Sequence, residues 1–304
     1  MGCSVSGTKM RDFIAFDNVS PAEITELLDL ASRQKSDPNT YRHSKLAAGK
    51  VVGIFFEKSS LRTRLSFETA VCQLGGQCIY FGPESGRIGE RESIKDLAKV
   101  SSRYVDAFVL RTYKHETITE MAKYASKPVI NGLSDTHHPC QALGDVLTMR
   151  EKLGRLEGIK VAFIGDSNNV CRSLAQALPK VGAKLAVASP HGYTFSAAFV
   201  KSAGLQACTD PAEAVQDADV IYTDVWASMG QEHEVAKRRS IFQPYQINAE
   251  LLAISPKAIV MHCLPAHRGD EITDGVIDGP QSVVYDQAEN RLHVQRALLA
   301  TLMA

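Results

Sequence analysis

The chain has 304 residues, 44% of them hydrophobic, enough to bury a full core and, at usual domain sizes, to form two domains. Thirty-four basic and thirty-four acidic residues cancel, so no global field draws it to nucleic acid or an anionic membrane, and any anion must be held locally. Seven scattered cysteines with no C-x-x-C pair exclude a disulfide scaffold and the usual zinc spacings, pointing to reduced thiols in a cytosol, and no apolar run approaches the ~20 residues that cross a bilayer.

Met1-Gly2-Cys3-Ser4-Val5-Ser6 fits the loose myristoylation pattern M-G-x-x-x-[ST]; residues 1–10 also read as a disordered tail or an upstream start before Met10. Ser20-Pro21-Ala22-Glu23 is a capping box with proline at the first helical position, and Ile24, Leu27, Leu28 and Ala31 follow at helical spacing. Short apolar, β-branched runs then alternate with helical patterns: residues 51–56, 78–81, 107–110 and 129–131, then 161–164, 185–188, 220–223 and 259–262. Alternation of this kind predicts βαβ units and mainly parallel sheets. A helical pattern over 139–153, closed by Gly154, separates two groups of four strands and serves as a hinge, and 287–302 reads as a last helix. The expected fold is α/β with two domains, each a mainly parallel sheet flanked by helices, and an active site in the cleft between them. The expected division is 1–144, with the helix 287–304 packing back on it, and 145–286.

Ligands of open parallel sheets collect where strands end, because loops and helix N-termini converge there. The polar, unusual segments fall at those ends. Phe56 leads to Lys58-Ser59-Ser60-Leu61-Arg62-Thr63-Arg64, Leu110 to Arg111, and Asn131 to His137-His138-Pro139-Cys140-Gln141. In the second half Ile164 leads to Gly165-Asp166-Ser167-Asn168-Asn169, Thr223 to Asp224, and His262 to Cys263-Leu264-Pro265. Ser60, Arg62 and Thr63 open a helix, where free N–H groups, hydroxyls and a guanidinium can hold a phosphate. An ordinary serine cap with exposed arginines explains Ser60 equally well, but two arginines beside the positive end of the helix dipole favour an anion site. Singly, His138 reads as a helix cap, Arg111 as a surface ion pair and Cys263 as buried packing rather than a nucleophile. The loop opened by Asp224, with Ser228 and Gly230, suits an ammonium ligand, or is a turn beside buried Trp226.

Taken together, these residues resemble the transcarbamoylase family. S-x-R-T-R is matched by Ser60 to Arg64 and H-P-x-Q by His138 to Gln141; the ornithine branch adds D-x-x-x-S-M-G at Asp224 to Gly230 and H-C-L-P at His262 to Pro265. The likeness runs from about Met10 to the C-terminus. It implies that Ser60, Leu61, Arg62 and Thr63 hold the phosphate of carbamoyl phosphate, that Arg111 and His138 meet its carbonyl oxygen, and that Gln141 meets its amide. It further implies that Asn169, Asp224, Ser228 and Met229 hold ornithine, that Cys263 and Leu264 lie beside the reacting amine, and that Arg291 lies near the carbamoyl phosphate. Arg111, His138, Asp224 and Cys263 are the expected catalytic set. A homotrimer in the cytoplasm, with no metal and no organic cofactor, completes the expectation. Two positions depart from the common pattern. Leu61 stands where many members have threonine, as in acetylornithine relatives, and Arg87 replaces a glutamine that reaches a neighbouring subunit's carbamoyl phosphate. Sister enzymes acting on acetylornithine, putrescine or aspartate are the nearest alternatives. A nicotinamide enzyme would need three glycines where residues 165–170 have one, and a zinc site on His137, His138, His262 and Cys263 lacks a known spacing.

Overall fold

The computed structural model describes residues 10–39, 45–227 and 234–304; the motif at Met1 to Ser6 and the expected contacts of Ser228 and Met229 lie outside the described residues. The chain divides into two compact units, residues 1–135 with 295–304, and residues 136–294.

In the first unit, Ser20 caps α1 (Pro21–Ser36) through the reciprocal bonds of a capping box with Glu23. A four-stranded parallel sheet follows in the order β2-β1-β3-β4, built from β1 (Val51–Phe56), β2 (Gln77–Phe81), β3 (Ala107–Arg111) and β4 (Val129–Leu133). The crossovers are α2 (Leu61–Gln73), α3 (Ile94–Ser101) and α4 (His115–Tyr124). Strand β3 is buried throughout, the signature of a central parallel strand covered on both faces. Phe108, Leu110, Ile118 and Met121 sit in its core. Arg296, from the last ten residues, is fully buried here and donates from Nε to Gln34 Oε1 of α1 at 3.0 Å and from a terminal nitrogen to Gln73 of α2.

The second unit opens on α5 (Pro139–Leu153), buried from Pro139 through Met149 and ended by Gly154 in the left-handed conformation at φ 70°. Its sheet has the order β7-β6-β5-β8-β9, all parallel: β5 (Lys160–Ile164), β6 (Lys184–Ala188), β7 (Gln206–Cys208), β8 (Val220–Thr223) and β9 (Ile259–His262). Helices α6 (Asn169–Ala177), α7 (Ala197–Ala203), α8 (Pro211–Val215), α9 (Val235–Phe242), α10 (Ala249–Ile254) and α11 (Asp274–Ile277) connect the strands or follow them. Helix α12 (Val284–Leu302) closes the chain, starting three residues before the expected Gln287. Two parallel α/β units match the expected class. The expectation of four strands in the second group falls one short, because β7 is a three-residue edge strand with two exposed positions and carries no apolar run to betray it.

Candidate active site

Each sheet reverses its direction of winding between two adjacent strands, β1 and β3 in the first unit, β5 and β8 in the second. Loops diverge at such switch points and leave a crevice beyond the strand ends. The residues singled out above concentrate there.

In the first unit, Ser60 N-caps α2: its Oγ accepts the Thr63 N–H at 3.4 Å and donates to Thr63 Oγ1 at 3.0 Å. Arg111, in register with Phe56, is buried rather than a surface ion pair, and its guanidinium reaches Thr63 Oγ1 at 3.5 Å. The two arginines of the first turn part company. Arg64 bonds Glu68 at 2.8 Å and stacks 3.7 Å over the Tyr80 ring, a structural commitment. Arg62 is exposed and has no ion-pair partner among the described residues. Leu61 is 79% exposed, so its local contribution is a backbone N–H. Positive charge beside an N-terminus with no acidic residue in its first turn is an arrangement able to hold an anion. Arg87 and Lys58 lie over the Tyr113 ring, at 4.8 and 4.5 Å. Buried Glu57, missed in the sequence, holds this corner together, accepting the N–H groups of Ile88 at 3.0 Å and Tyr113 at 2.8 Å.

In the second unit, Asp224 follows β8. Its Oδ1 accepts the Val225 N–H at 2.8 Å and the Cys263 thiol at 2.9 Å, and its Oδ2 accepts from Asn168 Nδ2 at 2.7 Å. The asparagine that bonds Asp224 is therefore Asn168; Asn169 is the first residue of α6, with its carbonyl accepting from Ser173 Oγ at 2.9 Å. Asn168 also caps α6 through the N–H groups of Val170 and Cys171, and the preference of asparagine for that position was a legible signal. Burial, reinforced by the neighbouring carboxylate of Asp224, pushes the Cys263 thiol well above its usual range, so it is a protonated donor and not a thiolate nucleophile. Arg238, also unforeseen, bonds Asp166 at 2.7 Å, Glu234 at 2.8 Å and the Trp226 carbonyl at 2.8 Å, pinning the loops after β5 and β8.

One atom each of Asp224, His262 and Cys263 lies within 4.8 Å of the others, the only such cluster among the described residues. It does not fit a metal. His262 Nδ1 accepts the Leu264 N–H at 2.9 Å and Nε2 bonds Glu271 Oε1 at 3.0 Å, so neither ring nitrogen is left to ligate. The imidazole instead props Leu264, whose φ of 56° lies in the region that favours glycine.

His138 occupies the N-cap of α5 without a side-chain capping bond, which removes the capping explanation; its backbone N–H donates to Ser173 Oγ at 2.8 Å. Gln141, one turn on and fully buried, donates from Nε2 to Asp145 Oδ1 at 2.8 Å. Burial pushes the Asp145 carboxyl up to about 7, against the bonds from Gln141, Gln287 and Tyr222 and the charge of Arg291. Arg291 is buried too, with its pKa lowered by desolvation. A Cβ at Gly144 would stand 3.3 Å from Arg291 Cγ and 3.4 Å from its backbone N, so glycine there lets α12 approach α5.

Each unit is a parallel α/β fold; the first carries a helix N-terminus flanked by arginine, the second a carboxylate already bonded by three donors. The family model for the aspartate/ornithine carbamoyltransferase carbamoyl-P binding domain matches residues 11–151, and that for the Asp/Orn binding domain matches residues 157–302. Ornithine carbamoyltransferase from Pyrococcus horikoshii is 48% identical over 309 residues, covering 98% of each chain, and that from Methanospirillum hungatei is 48% identical, covering 97% of this chain and 99% of its own. Among solved structures, ornithine carbamoyltransferase from Pyrococcus furiosus superposes with a TM-score of 0.93 at 47% identity, covering 98% of this chain and 99% of that one. The Thermus thermophilus enzyme gives 0.91 at 43%, covering 98% and 100%. The chain belongs to the aspartate/ornithine carbamoyltransferase family.

Proposed function

We propose that this chain transfers the carbamoyl group of carbamoyl phosphate to the side-chain amine of L-ornithine, giving L-citrulline and phosphate. The observation that carries the reading is similarity at about 48% identity, over nearly the whole chain, to relatives named ornithine carbamoyltransferase. The site residues fit the chemistry. Ser60, the Leu61 backbone, Arg62 and Thr63 take the phosphate; Arg111 and His138 stand where charge grows on the carbonyl oxygen; Gln141 meets the carbamoyl amide; and Arg291 adds positive charge. Asp224, with Asn169, Ser228 and Met229, holds the amino and carboxylate ends of ornithine. Cys263 and the Leu264 backbone flank the attacking amine.

The neutral amine attacks the carbonyl carbon, a C–N bond forms, and the tetrahedral intermediate collapses as the C–O bond to phosphate breaks, the nitrogen's proton leaving on the departing phosphate. Positioning and charge stabilisation supply the acceleration, with no cofactor. In this reading residues 1–144 with the helix 287–304 form the carbamoyl phosphate domain and 145–286 the ornithine domain. The enzyme is cytoplasmic and homotrimeric, the loop around Arg87 completing a neighbour's site. Among the described residues no helix is long and apolar enough to cross a membrane.

Leu61 favours one rival, an acetylornithine enzyme. Comparing kcat/KM for ornithine, acetylornithine and putrescine on one preparation decides between them. Acetylation removes the ammonium that Asp224 pairs with, so ornithine is expected to win by roughly a hundredfold or more. Acetylornithine equal to ornithine would overturn the substrate. Mixing inactive Arg62→Ala and Arg87→Ala chains is expected to restore activity if sites are shared; full activity of Arg87→Ala alone counts against sharing.

A further inference from the structure

Asp145 contacts no substrate in the reading above, yet Gln141, Gln287 and Tyr222 all bond its carboxylate. The chain of bonds begins at the end of β9, where the His262 backbone N–H, which can only donate, bonds Gln287 Oε1 at 2.9 Å. That single bond fixes which end of the Gln287 amide is which. Its Nε2 then spends both hydrogens, one on Asp145 Oδ1 at 2.8 Å and one on the Tyr222 hydroxyl at 3.0 Å. The hydroxyl, having accepted, gives its own hydrogen to Asp145 Oδ2 at 3.0 Å. Asp145 is thereby an acceptor at both oxygens, and the remaining approach to Oδ1 is made by Gln141 Nε2 at 2.8 Å. An acceptor-only neighbour permits one orientation of the Gln141 amide. Its nitrogen faces Asp145 and its oxygen faces away.

That oxygen is the second observation. Gln141 Oε1 is buried with no hydrogen-bond partner in a side chain that is 1% exposed. A buried carbonyl without a donor costs free energy unless a ligand supplies one. We infer that Asp145, oriented through Gln287 and Tyr222, is a positioning residue that locks the Gln141 amide so that Oε1 is presented as an acceptor to an N–H of the carbamoyl group. The inference rests on the reading that Gln141 meets the carbamoyl amide, and it adds what makes Gln141 selective. A freely flipping amide presents NH2 as often as oxygen, and would tolerate a methyl in place of the carbamoyl NH2. A locked one would not.

Acetyl phosphate carries that methyl, so it separates positioning from mere folding. Dissociation constants for carbamoyl phosphate, acetyl phosphate and inorganic phosphate are measured by calorimetry on wild type, Asp145→Ala, Gln141→Ala and the double variant. In Asp145→Ala the preference for carbamoyl over acetyl phosphate is expected to shrink about tenfold, the value of one well-made hydrogen bond, while inorganic phosphate binds as before. The double variant is expected to match Gln141→Ala, because the carboxylate acts through the amide. If Asp145→Ala does not fold, Asp145→Asn keeps the volume and half the acceptor character, and an intermediate loss of preference is expected. Equal weakening of all three ligands, or an unchanged preference in a folded Asp145 variant while Gln141→Ala loses it, overturns the inference. An unchanged preference in Gln141→Ala instead overturns the assignment of Gln141 beneath it.

Discussion

At the end of β1, Arg62 stands exposed with no ion-pair partner among the described residues, whereas at the end of β8 the Asp224 carboxylate is met by three protein donors. The first arrangement suits a small dianion, whose own field is strong enough to order a solvated guanidinium and open backbone N–H groups on arrival. The second suits a weaker and more directional ligand. Three of the roughly four lone-pair sites of Asp224 are already occupied, so what remains points one way and can tell an ammonium from its acetylated form. One region trades preorganisation for charge, the other trades free charge for preorganisation.

If that contrast is right, substitutions on the two sides should divide differently between ligand binding and stability. Arg62→Ala should lower kcat/KM for carbamoyl phosphate by at least roughly 30-fold, corresponding to ~2 kcal/mol for a charge partner buried in the complex, and leave Tm unchanged because nothing leans on Arg62. A Tm drop of several degrees would show the arginine to be structural. Asp224→Asn should cost both. Its NH2 would have to face one side of the site, either the Asn168 amide or the Val225 N–H and Cys263 thiol, so about 1–3 kcal/mol of stability and roughly a hundredfold in kcat/KM for ornithine are expected to go, with carbamoyl phosphate binding little changed. Denaturant melts beside a two-substrate kinetic analysis measure the split, and a loss confined to carbamoyl phosphate would break the assignment.

A pH experiment sharpens the preorganised side. The folded-state pKa of Asp145, about 7, lies above the unfolded carboxylate value near 4. The stability it contributes is therefore fully present below about pH 4 and lost as pH rises through about 7. With two amide donors on Oδ1, a proton goes to Oδ2 and displaces the hydrogen bond from Tyr222 that orients the carboxyl, so the preference for carbamoyl over acetyl phosphate should decline as pH falls below about 7. Asp145→Asn removes the titrating group, and the wild-type-minus-variant difference between pH 5 and 8 isolates both slopes. Parallel slopes in the two proteins would exclude Asp145 as their source. Gly144→Ala should have a smaller effect: the added methyl meets the Arg291 backbone, and overpacking of ~1–3 kcal/mol outweighs the ~1 kcal/mol alanine gains in a helix. A raised Tm would show that α12 yields. Leu61→Thr, at an exposed position that offers its backbone, should change the KM for carbamoyl phosphate by less than about twofold. A loss matching that of Arg62→Ala would mean the side chain itself shapes the anion site.

Short-range chemistry wrote several features directly into the chain: the capping box at Ser20, the boundaries of α5 from Pro139 to Gly154, eight of the strands, and the polar strand ends where site residues gather. Those features depend on neighbours within a few positions, so periodicity and capping rules reach them. Two network members also left local traces, Asn168 as a helix cap and Asp145 four residues after Gln141 on one helix face. Which of them mattered depended on the assembled fold. It separated Arg62 from Arg64, made Cys263 a donor to Asp224, and ran the bonds from His262 through Gln287 and Tyr222 to Asp145, residues from four elements as far apart as 145 and 287. A buried polar group takes whatever partner folding brings within about 3 Å, and that partner's identity is set by strand order and helix packing rather than by adjacency in the chain.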